Sequence, residues 1–164
     1  MNFKLTHTRN SLQEKTRIEI AALLQKRLAD SIDLMMDAKQ AHWNVKGLNF
    51  IALHELFDKV FADTVKFVDL IAERIVQLGG IAQGTVRESA KESSLPVYSL
   101  DISCGKKHVA ELSHALAFYG ELIRQAIALA TELGDADTAD ILTEVSRRAD
   151  RNLWFVEAHE QQEQ

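Results

Sequence analysis

The stretch that decides the fold covers residues 41–58 and reads AHWNVKGLNFIALHELFD. Before it, apolar side chains follow the helical spacing of three or four residues at Leu24, Leu28, Ile32 and Met35. After it, a second helical pattern runs to Leu78, where Gly79 and Gly80 favour a stop. Asn44 and Gly47 favour a turn between the two patterns. The sequence therefore predicts two long helices joined by a short link at residues 44–48.

The rest of the chain predicts two more long helices. The predicted bounds of all four are 11–43, 49–78, 103–133 and 136–158. Ser11 and Glu14 have the spacing of a capping box and predict the start of the first helix. We expect Asp101 or Ser103 to cap the third helix and Asp135 to cap the fourth.

The middle of the chain predicts a long connection. Residues 79–102 hold the only proline, two consecutive serines and mixed charges, so we expect a crossover with one short helical turn. Four long helices with one crossover predict an all-α protein with a ferritin-like four-helix bundle. The expected domain limits are a tail at 1–10, the bundle at 11–158 and a second tail at 159–164.

Composition excludes several classes of protein. The chain has 164 residues, of which 46% are hydrophobic and 26% charged, and only seven Gly and one Pro argue against a turn-rich β fold. Cys104 is the only cysteine, so the chain forms no internal disulfide or multi-cysteine metal site. No apolar run reaches the length of a membrane span, and the N-terminus lacks the apolar core of a secretory signal. We expect a cytoplasmic protein.

Metal-ligand side chains follow one face of the second predicted helix. His54 and Asp58, and again Asp69 and Glu73, are spaced i, i+4, so each pair can reach one ion. A helical hairpin brings His42 opposite His54. Imidazole and carboxylate without thiolate suit Fe(II), Mn(II), Co(II) or Zn(II).

Distance limits how these side chains combine. The fifteen residues from His54 to Asp69 span about 22 Å of helix, too far for one metal ion. Either each chain holds two partial sites, or a two-fold dimer brings the two pairs together. A third interpretation needs no metal, with Asp58, Asp69 and Glu73 forming a solvated face paired to Lys59, Lys66 and Arg74.

Residues 41–80 resemble the Dps family, the DNA-protection-during-starvation proteins, which are small ferritin-like proteins. The resemblance is carried by AHWN at 41–44, Gly47, NF at 49–50, LHE at 53–55, Asp58, Asp69, AER at 72–74 and QLGG at 77–80. It continues in DTADIL at 137–142 and LWF at 153–155, and spans residues 9–158. The twelve-residue spacing of the histidines and the two i, i+4 pairs are specific in combination.

The resemblance implies a ferroxidase and iron store. Dps proteins form dodecamers that oxidise Fe(II) at dimer interfaces, usually preferring hydrogen peroxide to dioxygen, and keep the ferric mineral inside. His42, His54 and Asp58 match the ligands that one subunit supplies, and Asp69 and Glu73 match those that its two-fold mate supplies. Trp43 matches an aromatic residue that intercepts stray oxidising equivalents. Zn or Mn is expected to compete with iron for this site.

The resemblance also places acids at pores that admit Fe(II). Asp140 is the first candidate, followed by Asp150 and Asp137. Asp135, Asp137, Asp140 and Glu144 also fit a simpler role, because acids at a helix start favour capping and the helix dipole.

Two other features are set aside. Glu111 and His114 have the Glu-x-x-His spacing of ordinary di-iron bundles, but that design needs two such motifs and the chain has one. An ordinary dioxygen-using ferritin is therefore disfavoured. Cys104 has no histidine partner that would make it catalytic and is expected to be incidental.

The alternative function is a non-enzymatic DNA-compacting protein whose metal site is mainly structural. Several Dps proteins bind DNA through a lysine-rich N-terminal extension, whereas only Lys4 and Arg9 precede the first helix here. Twelve chains of net charge −5 carry −60, and the sequence shows no obvious cluster of Lys and Arg. We therefore expect weak DNA binding.

Overall fold

The computed structural model of the chain describes residues 5–161. It contains five helices: α1 (Glu14–Asn44), α2 (Phe50–Gln77), α3 (Val86–Glu92), α4 (Gly105–Glu132) and α5 (Ala136–Glu157). No β-strand is present in this part of the chain, only an isolated bridge between Lys46 and Cys104. The predicted all-α fold is confirmed, and α3 is the short helix expected in the crossover.

The four long helices enclose one apolar core. α1 packs on α2 and α4 packs on α5, and the two hairpins meet through α1 with α4 and α2 with α5. Phe57, Phe67 and Tyr119 are fully buried at the centre, and the rings of Phe67 and Tyr119 stack with centroids 6.2 Å apart. The Tyr119 hydroxyl finds a partner in Ser31 Oγ at 2.8 Å, so its burial leaves no polar atom unpaired.

Side chains of α1 hold the crossover in place. Asp30 is buried, bonds to Arg27 Nε at 2.8 Å and accepts the backbone N–H of Ser94 at 2.7 Å. The Ser93 hydroxyl donates to Asp33 at 2.6 Å. Because these bonds join residues more than 55 positions apart, they fix the path of the connection across the bundle.

Gly79 ends α2 as predicted, for two physical reasons. Its φ is +90°, a left-handed conformation that other residues rarely adopt. A Cβ atom at this position would also lie 2.7 Å from the carbonyl oxygen of Thr6, whose N–H donates to Gly79 O at 2.8 Å. The segment before α1 therefore packs directly on the end of α2.

The predicted start of α1 was wrong. α1 begins at Glu14 rather than Ser11, and its N-cap residue, Gln13, makes no side-chain capping bond. Asn10 Oδ1 instead accepts the N–H of Leu12 at 2.9 Å. This local turn satisfies the backbone before the helix begins, so the capping box does not form.

The predicted cap of α4 was also wrong. Neither Asp101 nor Ser103 occupies the N-cap position, which belongs to Cys104. The N–H of Lys46 donates to Ser103 O at 2.8 Å, and the N–H of Gly105 donates to Lys46 O at 3.2 Å. The chain stays extended here because it pairs with the α1–α2 link, and the helix starts only afterwards.

Asp135 caps α5 as predicted and also joins α5 to α2. Its carboxylate accepts the N–H of Thr138 at 3.0 Å and pairs with Arg74 Nη2 at 2.7 Å. Arg74 Nε donates to the Thr138 hydroxyl at 2.9 Å. Both members of the ion pair are buried, so each charge offsets the desolvation cost of the other.

Candidate metal centre

Two histidines face each other across the α1–α2 hairpin. His42 Nδ1 lies 2.7 Å from the carbonyl oxygen of His54, and His54 Nδ1 lies 2.8 Å from that of His42. The rings stack with centroids 3.7 Å apart. A carbonyl oxygen can only accept, so each Nδ1 carries a proton and Nε2 is the ring nitrogen left for a ligand. The fold thus presets both imidazoles as Nε2 ligands.

Asp58 lies beside the histidines and is paired with a lysine. It forms an ion pair with Lys39 of α1, and its side chain remains 51% exposed. The hydrogen bond from Lys39 lowers the pKa of Asp58 below its usual value, and the charges of Lys39, His42 and His54 act in the same direction. Asp58 is therefore ionised and ready to bind a cation.

Asp69 and Glu73 lie farther along α2, away from the histidines. Both are exposed, and neither makes an ion pair within residues 5–161. In the same residues, no group of three His, Cys, Asp or Glu side chains lies close enough to hold a metal ion. One chain therefore brings His42 and His54 together with Asp58 beside them, and does not complete a site.

The ion-paired face considered above does not form. Arg74 turns inward to Asp135, while Lys59 and Lys66 lie 3.9 Å and 3.7 Å from Asp63. None of these cations neutralises the predicted ligands in the described part of the chain. Asp69 and Glu73 therefore have no ion-pair partner among residues 5–161.

Apolar surface surrounds both halves of the incomplete site. Glu73 lines an open cleft of about 400 Å³ whose other walls are mainly apolar: Ala72, Val76, Gln77 and Ala82. Near the histidines, Leu48 and Ile51 are exposed. Exposed apolar side chains of this kind are common at protein–protein interfaces.

Comparisons with known proteins agree with this architecture. The ferritin-like domain family matches residues 21–164. The DNA protection during starvation protein of Agrobacterium fabrum is 42% identical over 158 residues, covering 96% of this chain and 98% of the relative. That of Mycolicibacterium smegmatis is 33% identical over 148 residues, covering 90% of this chain and 80% of the relative. The chain belongs to the Dps family.

Solved structures show the same fold. DpsC from Streptomyces coelicolor has a TM-score of 0.93 and 30% identity, covering 98% of this chain and 94% of the other. The tetragonal form of Mycobacterium smegmatis Dps has a TM-score of 0.89 and 32% identity, with 94% of each chain covered. In this Dps chain, the helices within residues 5–161 are all too short or too polar to cross a membrane.

The acids considered for pores have different surroundings in this Dps chain. Asp140 is exposed and makes no ion pair within the described residues. Asp137 is 84% exposed, with Arg74 Nη1 at 3.9 Å. Asp150 accepts a hydrogen bond from Arg124 Nη1 at 2.9 Å, which neutralises it. Asp135, in contrast, is buried, caps α5 and pairs with Arg74. Asp140 and Asp137 keep their charge available for a cation.

The remaining candidates are Trp43, the Glu111 and His114 pair, and Cys104. Trp43 is 62% exposed and follows His42 directly in α1. Glu111 is half-buried and His114 is exposed, and they form no metal-binding group in the described residues. Cys104 is exposed at the start of α4.

Sequence reasoning missed Lys39 and a group of cations around Asp63. The contact of Lys39 with Asp58 could have been predicted from the alignment of the two helices. If His42 faces His54, the residue one turn earlier on α1 faces Asp58. The cations come from α2 and α5, whose relative positions no local pattern reveals. The sequence shows no obvious cluster of Lys and Arg because these cations come together only in the folded chain.

Proposed function

We propose that this Dps-family chain oxidises Fe(II), preferentially with hydrogen peroxide, at sites shared between two subunits. The ferric product is stored inside a dodecameric shell of twelve 18.4 kDa chains, about 221 kDa. One observation carries the proposal: the α1–α2 hairpin holds two preset imidazoles, one from each helix, and α2 carries two unpaired carboxylates toward its other end. Each half of a metal site is present and neither is complete.

A two-fold dimer joins the halves. If α2 of one subunit runs antiparallel to α2 of its mate, the separation of about 22 Å within each chain becomes contact between chains. His42, His54 and Asp58 of one subunit then meet Asp69 and Glu73 of the other. The same contact covers the exposed apolar residues Leu48, Ile51 and Val76.

The side chains suit a substrate that changes from Fe(II) to Fe(III). Neutral imidazoles bind Fe(II) without adding charge, and the carboxylates Asp58, Asp69 and Glu73 favour the more highly charged product. Reduction of one peroxide to two waters consumes two protons and two electrons, and two Fe(II) supply the electrons. The reaction removes both Fe(II) and peroxide. Because both electrons pass to one peroxide, no free hydroxyl radical is released, and DNA is protected.

Other residues serve this reaction from outside the ligand set. Trp43, exposed beside His42, donates an electron to any oxidising equivalent that escapes the site. Asp140 and Asp137 attract Fe(II) at the entrance to the shell, with Asp150 as a weaker contributor because Arg124 neutralises it. We place the protein in the cytoplasm, where Zn(II) or Mn(II) competes for the same nitrogen and oxygen ligands.

Anaerobic loading with Fe(II), followed by peroxide or by air, tests the proposal through ferric absorbance. Asp58→Asn should slow peroxide-driven oxidation strongly, since it removes an ionised ligand. Glu55→Gln, an exposed acid three residues earlier on α2, is the matched control and should oxidise Fe(II) as the parent does. Equal slow oxidation in all three proteins would show that these residues are structural.

A further inference from the structure

Five basic side chains gather where the middle of α2 faces the C-terminal half of α5. We call them the basic cluster: Lys59, Lys66, Arg147, Arg148 and Arg151. Three of them surround Asp63, with Arg151 Nη2 at 2.9 Å, Lys66 Nζ at 3.7 Å and Lys59 Nζ at 3.9 Å. The other two extend the cluster along the outer face of α5.

The cluster carries more positive charge than its own carboxylates neutralise. Asp63 serves three cations, and Glu144 bonds only to Arg148, with Oε1 at 2.8 Å from Nη2. Five cations against two carboxylates leave a local excess of three positive charges in a chain whose net charge is −5. Unbalanced cations at this density attract anions from solution.

The arginines of α5 line a cleft that an anion can enter. Glu144, Arg147, Arg148 and Arg151 form the walls of its volume of about 310 Å³, at the lower end of the range for small-molecule sites. Arg147 is exposed and has no ion-pair partner within residues 5–161. Its guanidinium therefore keeps all its donors available for a ligand.

We propose that the basic cluster binds a tetrahedral oxyanion of the phosphate class. The guanidinium fork pairs with two oxygens of such an anion at once, and Arg147 and Arg151 are one helical turn apart on the same face. Lys59 and Lys66 pair with Asp63 beside Arg151 and add positive charge near the cleft. The site contains none of the iron ligands proposed above, so it stands or falls independently of the ferroxidase reaction.

Inorganic phosphate tests the site directly. The assembled protein is dialysed free of phosphate and titrated with labelled phosphate at low ionic strength, with Arg147→Gln and the exposed Arg9→Gln as variant and control. We expect saturable binding in the parent and in Arg9→Gln. Arg147→Gln should bind about tenfold more weakly, the effect of one lost charge-assisted hydrogen bond.

A second arm separates free phosphate from the phosphates of a nucleic acid. Anisotropy of a labelled DNA duplex is measured across salt concentrations with the same three proteins. If the cluster holds DNA phosphates, Arg147→Gln reduces the salt dependence by about one counterion. Loss of phosphate or DNA binding in Arg147→Gln alone supports the site and identifies its ligand. The site is disproved if neither ligand distinguishes Arg147→Gln from the parent.

Discussion

Lys39 and Asp58 form an ion pair across the α1–α2 hairpin, one helical turn from His42. Lys39 is fixed further by the ring of Phe61, whose centroid lies 4.4 Å from Nζ. The hydrogen bond from Lys39 lowers the pKa of Asp58 and keeps the carboxylate ionised. If Asp58 binds a metal ion as proposed, the ion has to compete with the ammonium group of Lys39 for the carboxylate.

Replacing Lys39 by Met should tighten divalent metal binding. The variant removes a positive charge beside Asp58, and a full charge at this distance in water is worth about 1 kcal/mol, or about fivefold in affinity. Calorimetric titration with Zn(II), which is not oxidised, measures the change. Lys107→Met, on the exposed surface of α4, should leave the affinity unchanged. Unchanged affinity in Lys39→Met would remove Asp58 from the ligand set.

A mixture of two inactive variants should regain activity if the site is shared. His54→Ala removes a ligand from one half of the site, and Glu73→Gln removes a ligand from the other. In a mixed dimer, one of the two sites receives both lesions and the second receives neither. Subunits dissociated, mixed and reassembled should therefore recover about a quarter of the parent's peroxide-driven Fe(II) oxidation, since half the dimers are mixed and each has one intact site.

The control for this mixture is a pair of variants in the same half. His54→Ala mixed with Asp58→Asn leaves every site with at least one lesion and should stay inactive. The contrary outcome is that the mixture of His54→Ala and Glu73→Gln also stays inactive while both mixtures reassemble to the same particle mass. That result would show that the two sets of ligands do not combine across subunits.

Much of this architecture was predictable because the sequence signals of a helix lie within a few neighbouring residues. The spacing of apolar residues located four long helices, and Gly79 and Asp135 marked a stop and a start through chemistry confined to a few neighbours. The two wrong caps, at α1 and α4, share one cause. In each case a competing hydrogen bond, accepted by Asn10 or donated by Lys46, satisfied the backbone where the helix was expected to begin.

For the candidate metal site, the sequence predicts the residue types and the contact within one hairpin. The twelve-residue spacing of His42 and His54 places them opposite each other, and the structure adds the reciprocal Nδ1 bonds that no sequence pattern encodes. The basic cluster was unpredictable because it joins α2 to α5, which are distant in the chain. Arg74 was considered as an ion-pair partner for the acids of its own helix. It pairs instead with Asp135, which is distant in the sequence.

The pair of Arg74 and Asp135 should be critical for stability. Asp135→Ala removes the cap of α5 and leaves a buried guanidinium without its counter-charge, a loss expected to cost about 3–5 kcal/mol. Asp137→Ala, two residues later and almost fully exposed, should change the free energy of unfolding by less than about 0.5 kcal/mol. Chemical denaturation at one protein concentration compares the two. Similar small effects in both would show that solvent reaches Arg74.

Asp37 lies buried on α1, and its Oδ2 atom has no hydrogen-bond partner. Burial raises the pKa of Asp37 to about 7, and the charges of Asp33 and Glu111 add to the rise. Nearby, the hydroxyl of Tyr98 lies 2.8 Å from Nδ1 of the buried His108. At neutral pH the fold thus holds a carboxyl group that is about half protonated inside the bundle.

Stability should fall as the pH rises from about 4 to about 7. Over that range Asp37 keeps its proton in the folded chain and loses it in the unfolded chain, so ΔG of unfolding decreases by at most about 1.4 kcal/mol per pH unit. Asp37→Asn stays uncharged at every pH, so its advantage in stability over the parent should grow by up to about 3 kcal/mol between pH 5 and pH 8. His108, whose pKa burial lowers, acts in the opposite direction equally in both proteins, so denaturation of both at each pH isolates Asp37. A constant difference between the two proteins from pH 5 to pH 8 would mean that Asp37 is ionised throughout that range.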